Sequence, residues 1–368
     1  MFRSTVFALV VSALCPSAGL RADEAEAKAV AFVEKLGGSV ARDEKAPGRP
    51  VVGVSLSYAK LTDAGLNELA PFKGLRGLSL ESTEVTDAGL KHLAAHKTLS
   101  GLNLSGTAVT GTGLKELAAL PNLVTLRLSD TQVADADLKE LAGLRTLTTL
   151  GLRNTKVTGA GLKSLTALQS LTALDLSGTE VTDADLKELA GLRTLITLDL
   201  RNTKVAGAGL KSLATLQSLT ALDLSGTGVT DVGLTELAAL KGLAELRLAR
   251  TQVTDTGAKT LAALKTLATL DLSSTKVTDA GLKELTALTA LAALDLSDTA
   301  VTDAGLKGLA ALTTLTKLEL ASTKVTDAGL KELAAHKNLT WLDLIQTQVT
   351  DAGVKELRQA LPKCKIQK

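Results

Sequence analysis

Apolar residues recur along most of this chain with a fixed period of 24 positions. Each unit follows the formula Leu-x-x-Leu-x-Leu-x-x-Thr-x-Val, then Thr-Asp-Ala-Gly-Leu-Lys-x-Leu, with small variations. The Thr and Val positions recur twelve times, from Thr83 and Val85 to Thr347 and Val349, without an insertion or a deletion. A fainter copy begins at Leu61. A fixed period of this length predicts stacked supersecondary units rather than a closed globule.

The spacing of the leucines predicts one strand and one helix in each unit. The alternation Leu78-x-Leu80 predicts a short strand whose two leucines face the core. Leu90 and Leu93 lie three positions apart, which places them on one face of a short helix. We expect Thr86 or Asp87 to cap that helix by accepting a free backbone N–H.

The period also predicts how the units are arranged. Strands 24 residues apart pair in parallel, and the helices form a second layer. Because a helix is about 10 Å wide and neighbouring strands lie only about 4.8 Å apart, the stack bends with the sheet on the inside. The predicted fold class is an α/β solenoid: a horseshoe with a parallel β-sheet on the concave face and short helices on the convex face.

The formula resembles the leucine-rich repeat family, with Thr where many members carry Asn or Cys. The Val-Thr-Asp-Ala-Gly-Leu segment is similar to that of the Cys-containing, F-box-type subclass and of many secreted bacterial repeat proteins. The resemblance covers about residues 51–361. It implies the horseshoe fold, but it does not imply a ligand, because the family is defined by its scaffold.

The two ends of the chain depart from the formula. Residues 1–22 combine Arg3, an apolar stretch from Val6 to Leu14 and small residues, which predicts a secretory signal peptide. The protein is therefore predicted to be exported, to the periplasm or outside the cell. We expect residues 23–50 to form an N-terminal cap, with a helix over 23–37 and a short strand over 39–42. Residues 51–361 are then a solenoid of about thirteen repeats, closed by a cap strand in 362–368.

Composition and charge exclude some classes of function. Removing residues 1–22 removes Arg3 and Arg21, so Lys+Arg falls from 41 to 39 and equals the 39 acidic residues. A neutral chain without a basic patch does not favour nucleic acid as a partner. No apolar segment outside the signal is long enough to span a membrane. Cys364 is left without a disulfide partner, and we expect a monomer.

No grouping of residues predicts catalysis, a metal site or a cofactor. The Thr column from Thr83 to Thr347 is expected to satisfy backbone groups where each strand ends. His92 and His96 are four apart, as in a metal-binding helix, but the intervening Glu of a zinc protease is missing. His96 and His336 stand where other units have Leu, so we expect half-buried substitutes. The chain is predicted not to be an enzyme.

The informative residues lie between the two strand leucines of each unit and face out from the sheet. Arg153 and Arg201 are expected to offset the acids in the middle of this outward column. From Asp271 onward no Arg is interleaved, and Lys317 is the one nearby base. The outward column consists of Ser55, Ser79, Asn103, Arg127, Gly151, Asp175, Asp199, Asp223, Arg247, Asp271, Asp295, Glu319 and Asp343.

Like charges on neighbouring strands destabilise a sheet, so this acidic stretch is the candidate site. We predict recognition of an unknown protein or glycan. A basic peptide, an amine-bearing glycan or a divalent cation would relieve the repulsion between these acids. Trp341 and Ile345 are expected to supply an apolar anchor. Two alternatives stay open: a solvated face with Trp341 covered by the tail at Lys365, and a structural scaffold of the cell envelope. The predicted partner-binding residues are Asp271, Asp295, Glu319, Trp341, Asp343 and Ile345.

Overall fold

The structure is a computed structural model that describes residues 17–368. Its strands form one sheet in which every strand lies beside its neighbours in sequence. The first two strands pair antiparallel, and all later neighbours pair in parallel with a register of 24 residues. The strands are β1 (Ser39–Arg42), β2 (Val51–Ser55), β3 (Gly77–Ser79), β4 (Gly101–Asn103), β5 (Thr125–Arg127), β6 (Thr149–Gly151), β7 (Ala173–Asp175), β8 (Thr197–Asp199), β9 (Ala221–Asp223), β10 (Glu245–Arg247), β11 (Thr269–Asp271), β12 (Ala293–Asp295), β13 (Lys317–Glu319), β14 (Trp341–Asp343) and β15 (Lys365–Gln367).

Helical segments connect these strands on the other side of the core. The α-helices are α1 (Ser17–Lys35), α2 (Asp87–Leu90), α3 (Gly111–Leu114), α4 (Gly159–Leu165), α5 (Asp231–Leu234), α6 (Asp255–Leu261), α7 (Asp279–Leu285), α8 (Asp303–Gly308), α9 (Asp327–Leu333) and α10 (Asp351–Ala360). The 3₁₀ segments are Asp63–Leu69, Lys91–Ala95, Lys115–Ala119, Asp135–Gly143, Asp183–Gly191, Leu210–Thr215, Thr235–Ala239 and Leu309–Ala311. The predicted solenoid, with a parallel sheet on one face and short helices on the other, is confirmed.

The helices differ in kind from the expectation. Several units, such as Asp135–Gly143 and Asp183–Gly191, contain only 3₁₀ helix. The reason lies in the leucine spacing: two leucines three positions apart match a helix of three residues per turn as well as an α-helix. Leu138 and Leu141 are both buried in this tighter form. The core is a continuous file of such leucines with Val from each unit.

The Thr column has the structural role that its position predicted. The residue before each Thr adopts a left-handed conformation, for example φ 54° at Ser274, and this turns the chain away from the strand. The buried hydroxyl of Thr275 then donates to the carbonyl oxygen of Leu272 at 2.6 Å. The same bond recurs along the column, for example from Thr83 to Leu80 at 2.7 Å. These hydroxyls are used within the fold.

The aspartates of the Thr-Asp segment do not cap their own helices, contrary to one of our two expectations. Thr302 is the cap, and its Oγ accepts the N–H of Ala304 at 3.2 Å. The carboxylate of Asp279, one unit earlier, accepts the N–H of Thr302 at 2.8 Å and its hydroxyl at 2.7 Å. We call this pair of bonds the Asp–Thr bridge. Bridges of this form join Asp63 to Thr86, Asp87 to Thr110, Asp135 to Thr158, Asp231 to Thr254, Asp255 to Thr278, Asp279 to Thr302, Asp303 to Thr326 and Asp327 to Thr350.

Units with Gly in place of the bridging Asp use a different carboxylate. After Gly159, the N–H and hydroxyl of Thr182 donate to Asp185 of their own unit, at 2.8 and 2.7 Å. A Cβ on Gly159 would lie 1.8 Å from Asp185 Oδ1, so glycine is required there. The same arrangement occurs one block earlier. Asp137 accepts the N–H of Ala134, and Gly111 leaves room for its carboxylate. In the unit after Gly207, Gly233 stands at the position that Asp185 holds in its own unit, so no carboxylate is available there. The side chain of Thr230 makes no cap bond.

Different caps close the two ends. The predicted strand Ser39–Arg42 is confirmed, and Ala29 and Val33 of α1 are buried against the first unit. The predicted cap strand is also found at Lys365–Gln367, with Ile366 opposite Leu342. Residues 1–16 of the predicted signal lie outside the described residues, and the boundary after Ala22 stays a prediction. None of the described helices is long and apolar enough to cross a membrane.

We predict that Asp279→Ala weakens the stack, because it leaves the N–H of Thr302 without its partner. The expected loss is about 1–3 kcal/mol, measured as a lower urea midpoint. The matched control is Glu284→Ala, which removes an exposed carboxylate from the same helix, α7, and should leave the midpoint unchanged. Equal midpoints for both variants would contradict the role of the bridge.

Candidate functional site

The residues of the outward column lie side by side across the sheet, because neighbouring strands pair with a register of 24 residues. Asp271, Asp295, Glu319 and Asp343 occupy directly opposed positions on four adjacent strands, β11 to β14. All four side chains are half-buried. The structure therefore brings together the four acids that the sequence singled out.

The aspartates of this column also serve the backbone. Asp271 Oδ1 accepts the N–H and the hydroxyl of Ser273, at 2.9 and 2.7 Å. Asp295 accepts the N–H of Ser297 at 2.8 Å, and Asp343 accepts that of Ile345 at 2.9 Å. A short acidic side chain that binds the backbone two residues later stabilises the turn after the strand. This role explains why Asp recurs here, and the longer Glu319 does not share it.

In the middle of the sheet, arginines neutralise the column. Arg201 donates to Asp199 at 2.6 Å and lies 3.5 Å from Asp223, and Arg247 lies 3.9 Å from Asp223. The hydrogen bond to Asp199 raises the pKa of Arg201, whereas burial raises the pKa of Asp223. The expected compensation by Arg201 is confirmed. Arg153 is exposed and forms no ion pair with the described residues, so it does not neutralise Asp175 directly.

Towards the C-terminus the column keeps its charge. Lys317 forms an ion pair with Glu319, but Asp271, Asp295 and Asp343 have no such partner within residues 24–368. Burial raises the pKa of Asp295 to about 6, and the charges of Asp271 and Glu319 add to the rise while hydrogen bonds from Ser297 oppose it. Asp295 is the centre of the uncompensated stretch.

The apolar anchor is only partly open. Trp341 is half-buried and faces Lys365 on β15, whose Nζ lies 4.8 Å from the ring centroid. The contact is a cation–π interaction, and it confirms that the tail lies over the ring. Ile345 is half-buried beside the same strand. A partner that uses the Trp341 ring would have to share it with Lys365 or displace that side chain.

Two of the three histidines lie in the core. His96 and His336 are buried, with 2% and 3% of their surface exposed, rather than half-buried as expected. His96 Nδ1 lies 3.3 Å from the carbonyl oxygen of Phe72, so it is used within the core. Among residues 24–368 no three His, Cys, Asp or Glu side chains are grouped so that they could hold a metal ion.

Sequence reasoning missed a second region at the N-terminal end of the same face. Gly53, Gly77 and Gly101 stand side by side on β2, β3 and β4. With β1 and β5 they line a cleft of about 520 Å³ that ends at Arg127. A Cβ on Gly77 would meet no atom within 4 Å, so the fold does not require glycine there. The signal was three successive glycines at an outward strand position.

Comparison with known proteins agrees with this architecture. A family model described as "Leucine-rich repeat region" matches residues 55–304, and one described as "Leucine Rich repeat" matches 311–334. No curated protein matches the chain. An internalin, InlF, from Listeria monocytogenes superposes with a TM-score of 0.66 and 23% identity, covering 94% of each chain. A leucine-rich repeat protein of Leptospira interrogans has a TM-score of 0.57 and 23% identity, covering 86% of this chain and 90% of that one.

The likeness to these solved structures concerns the fold, because the identities are low. The family models cover most of the chain and match the repeat formula itself. Leucine-rich repeat proteins of the internalin and receptor type are typically protein-binding modules. The chain belongs to the leucine-rich repeat family.

Proposed function

We propose that this protein is a non-catalytic recognition module that binds a basic macromolecule outside the cytoplasm. The binding surface is the concave face around Asp271, Asp295, Glu319, Asp343 and Trp341. The observation that carries the proposal is the position of Asp295, half-buried between two acids and without an ion pair to any Lys or Arg side chain of residues 24–368.

The fold does not require four adjacent acids at these positions. Elsewhere the same column holds Ser79, Arg127 or Gly151, in units with the same strand and core. Acids that face each other on neighbouring strands repel, and this costs stability. A surface that retains such a cost, and in which Lys317 pairs with Glu319 but no described ion pair reaches Asp271, Asp295 or Asp343, is suited to a partner that brings the remaining positive charge.

The size of the site indicates what it can hold. A hollow of about 150 Å³ lies between Asp271, Asp295 and Glu319, with Leu270 and Leu294 in its floor. Arg247 and Lys317 also line it, at its edges along the sheet. Pockets for drug-sized molecules are larger, about 300 Å³ or more. The hollow instead fits the head of one lysine or arginine side chain. A peptide segment or an amine-bearing glycan could present such groups, and Trp341 and Ile345 would contact the adjacent apolar part.

We predict that the double substitution Asp295→Lys/Glu319→Lys abolishes partner capture from envelope and culture-supernatant extracts. The reason is that it replaces two attractive charges by two repulsive ones. The matched control is Glu332→Lys/Glu356→Lys, which makes the same charge change on two exposed residues of the convex face, also 24 positions apart. Both variants should keep the unfolding temperature of the wild type within a few degrees.

Three outcomes are informative. Capture lost only by the concave variant supports the proposal, and titration with lysine-rich peptides against glutamate-rich ones then tests the charge. Equal capture by both variants contradicts the proposed surface. Empty capture by the wild type would favour a structural role in the cell envelope, with the acidic stretch as a solvated face.

We also predict that Asp295→Asn stabilises the fold at pH 8. The folded state raises the pKa of Asp295 above its ordinary value of 3.8 to about 6, so the folded state favours the protonated form. The stability linked to this group is present at low pH and is lost as the pH rises through about 6. The gain from Asn should therefore be largest above pH 6 and vanish near pH 4.

Unfolding temperatures between pH 4 and pH 8 measure this effect. The control is Asp199→Asn, which removes a carboxylate of the same column that Arg201 neutralises. That variant should lose stability at pH 8. No gain in Asp295→Asn would show that the acidic stretch carries no cost, and a gain in Asp199→Asn as well would show that Arg201 does not offset the cost in the middle of the column.

A further inference from the structure

Two buried histidines replace leucines in the core. The position just after each helical segment is Leu in nine units, but it is His96 and His336 in two others. Both imidazoles are almost fully buried. Within residues 24–368, Nε2 of His96 and both ring nitrogens of His336 have no hydrogen-bond partner of good geometry, although the carbonyl of Leu312 lies near the His336 ring. A neutral imidazole fits such a site, whereas an imidazolium would bring a charge and a second N–H donor into the core.

The direction of the pH effect follows from this burial. Burial lowers the pKa of His336, and the carbonyl of Leu312 opposes the change in part. No charged side chain of α9, α10 or β15 contributes to that shift. The folded repeat therefore keeps His336 neutral. If the segment around it opens to solvent, the imidazole takes up a proton below its ordinary pKa of 6.5. As the pH falls through that value, the opened state gains relative to the closed one.

The position of His336 connects it to the acidic face. It lies in the turn between α9 and β14, where its N–H donates to Leu333 and its carbonyl accepts from Leu339, both at 3.0 Å. Five residues later the chain reaches Trp341, opposite Lys317 on β13. If the turn opens, β14 can no longer hold Trp341 and Asp343 in register with Glu319.

We propose that His336 is an acid switch: its protonation opens the turn before β14 and disassembles the C-terminal end of the concave face. This inference rests on the proposed function: the basic partner is held near neutral pH and released in mild acid. The proton taken up is the only chemical change, and it is reversible.

His96 provides an internal comparison. It occupies the same position ten units earlier, but the carbonyl oxygen of Phe72 lies 3.3 Å from its Nδ1. Burial, chiefly, lowers its pKa as well, and the nearby charge of Lys73 adds to the effect. An opening at His96 would leave β14 in place. A spectroscopic change at β14 therefore reports on His336 and not on His96.

The test uses Trp341, the single tryptophan of the chain, as a reporter on β14. Its emission is recorded from pH 8 to pH 4.5 for the full chain and for His336→Leu, which introduces the residue that nine other units carry. We expect a reversible change in the wild type below pH 6.5. The acid midpoint should move down by about one pH unit or more in His336→Leu and stay unchanged in His96→Leu.

Two further measurements keep the proposal open to contradiction. Asp295→Asn should retain the acid transition, because the proposal assigns that transition to His336. Loss of the transition in this variant would identify the Asp295 carboxylate as the sensor and overturn the proposal. Hydrogen exchange at pH 5.5 should rise in β14 and β15 but not in β3 and β4. An unchanged wild-type signal, or the same titration in His336→Leu, would also overturn it. None of these measurements needs the partner, so their failure would leave the capture experiment and the proposed function untouched.

Discussion

The carboxylate that bonds to the next repeat is the interaction on which the structure depends. Leucine packing holds the units together, but it is non-directional and would tolerate small slips between neighbours. The Asp–Thr bridge is directional: one carboxylate binds both the backbone N–H and the hydroxyl of a Thr in the following unit. At the eight junctions that have it, the bridge fixes the start of a helical segment relative to the one before. The strands on the opposite side keep the same register of 24 residues across the whole sheet, including the units without the bridge.

A regular scaffold of this kind separates the demands of folding from those of binding. The core positions and the Thr column repeat with little change, whereas the outward column varies from Ser to Arg to Asp. In its middle section Arg201 and Arg247 reach Asp199 and Asp223, although no described ion pair reaches Asp175. Its C-terminal section keeps more of its charge. Its N-terminal section is uncharged, and the row beside it, on the same face, consists of glycines. Three surfaces of different chemistry thus share one backbone geometry.

Most of the fold could be predicted from the sequence, because the period fixes the strand positions, their parallel pairing and even the cap strand at Ile366. The helix type could not, since the spacing of Leu90 and Leu93 fits two helix types. The Asp–Thr bridge could not be predicted from the local pattern, because it joins residues 23 positions apart, whereas a helix cap is expected from residues of the same unit. The alignment of Asp271 to Asp343 followed from the period. The burial of Asp295 and the bond from Asp271 to Ser273 depend on side-chain conformations that a repeat pattern does not specify.

The exchange between Gly159 and Asp185 bears on how the array grew. Residues 135–182 and 183–230 differ at six of 48 positions, so one block of two units is a copy of the other. In each block the third residue, Asp137 or Asp185, serves the glycine of the preceding unit. The glycine that opens the helical segment of the second unit, Gly159 or Gly207, in turn needs an aspartate in the block that follows. A further tandem copy would therefore arrive with its inner junction already complete. The one incomplete junction, now at Gly207 and Thr230, would only move along the chain, so the gene can lengthen without a compensating mutation.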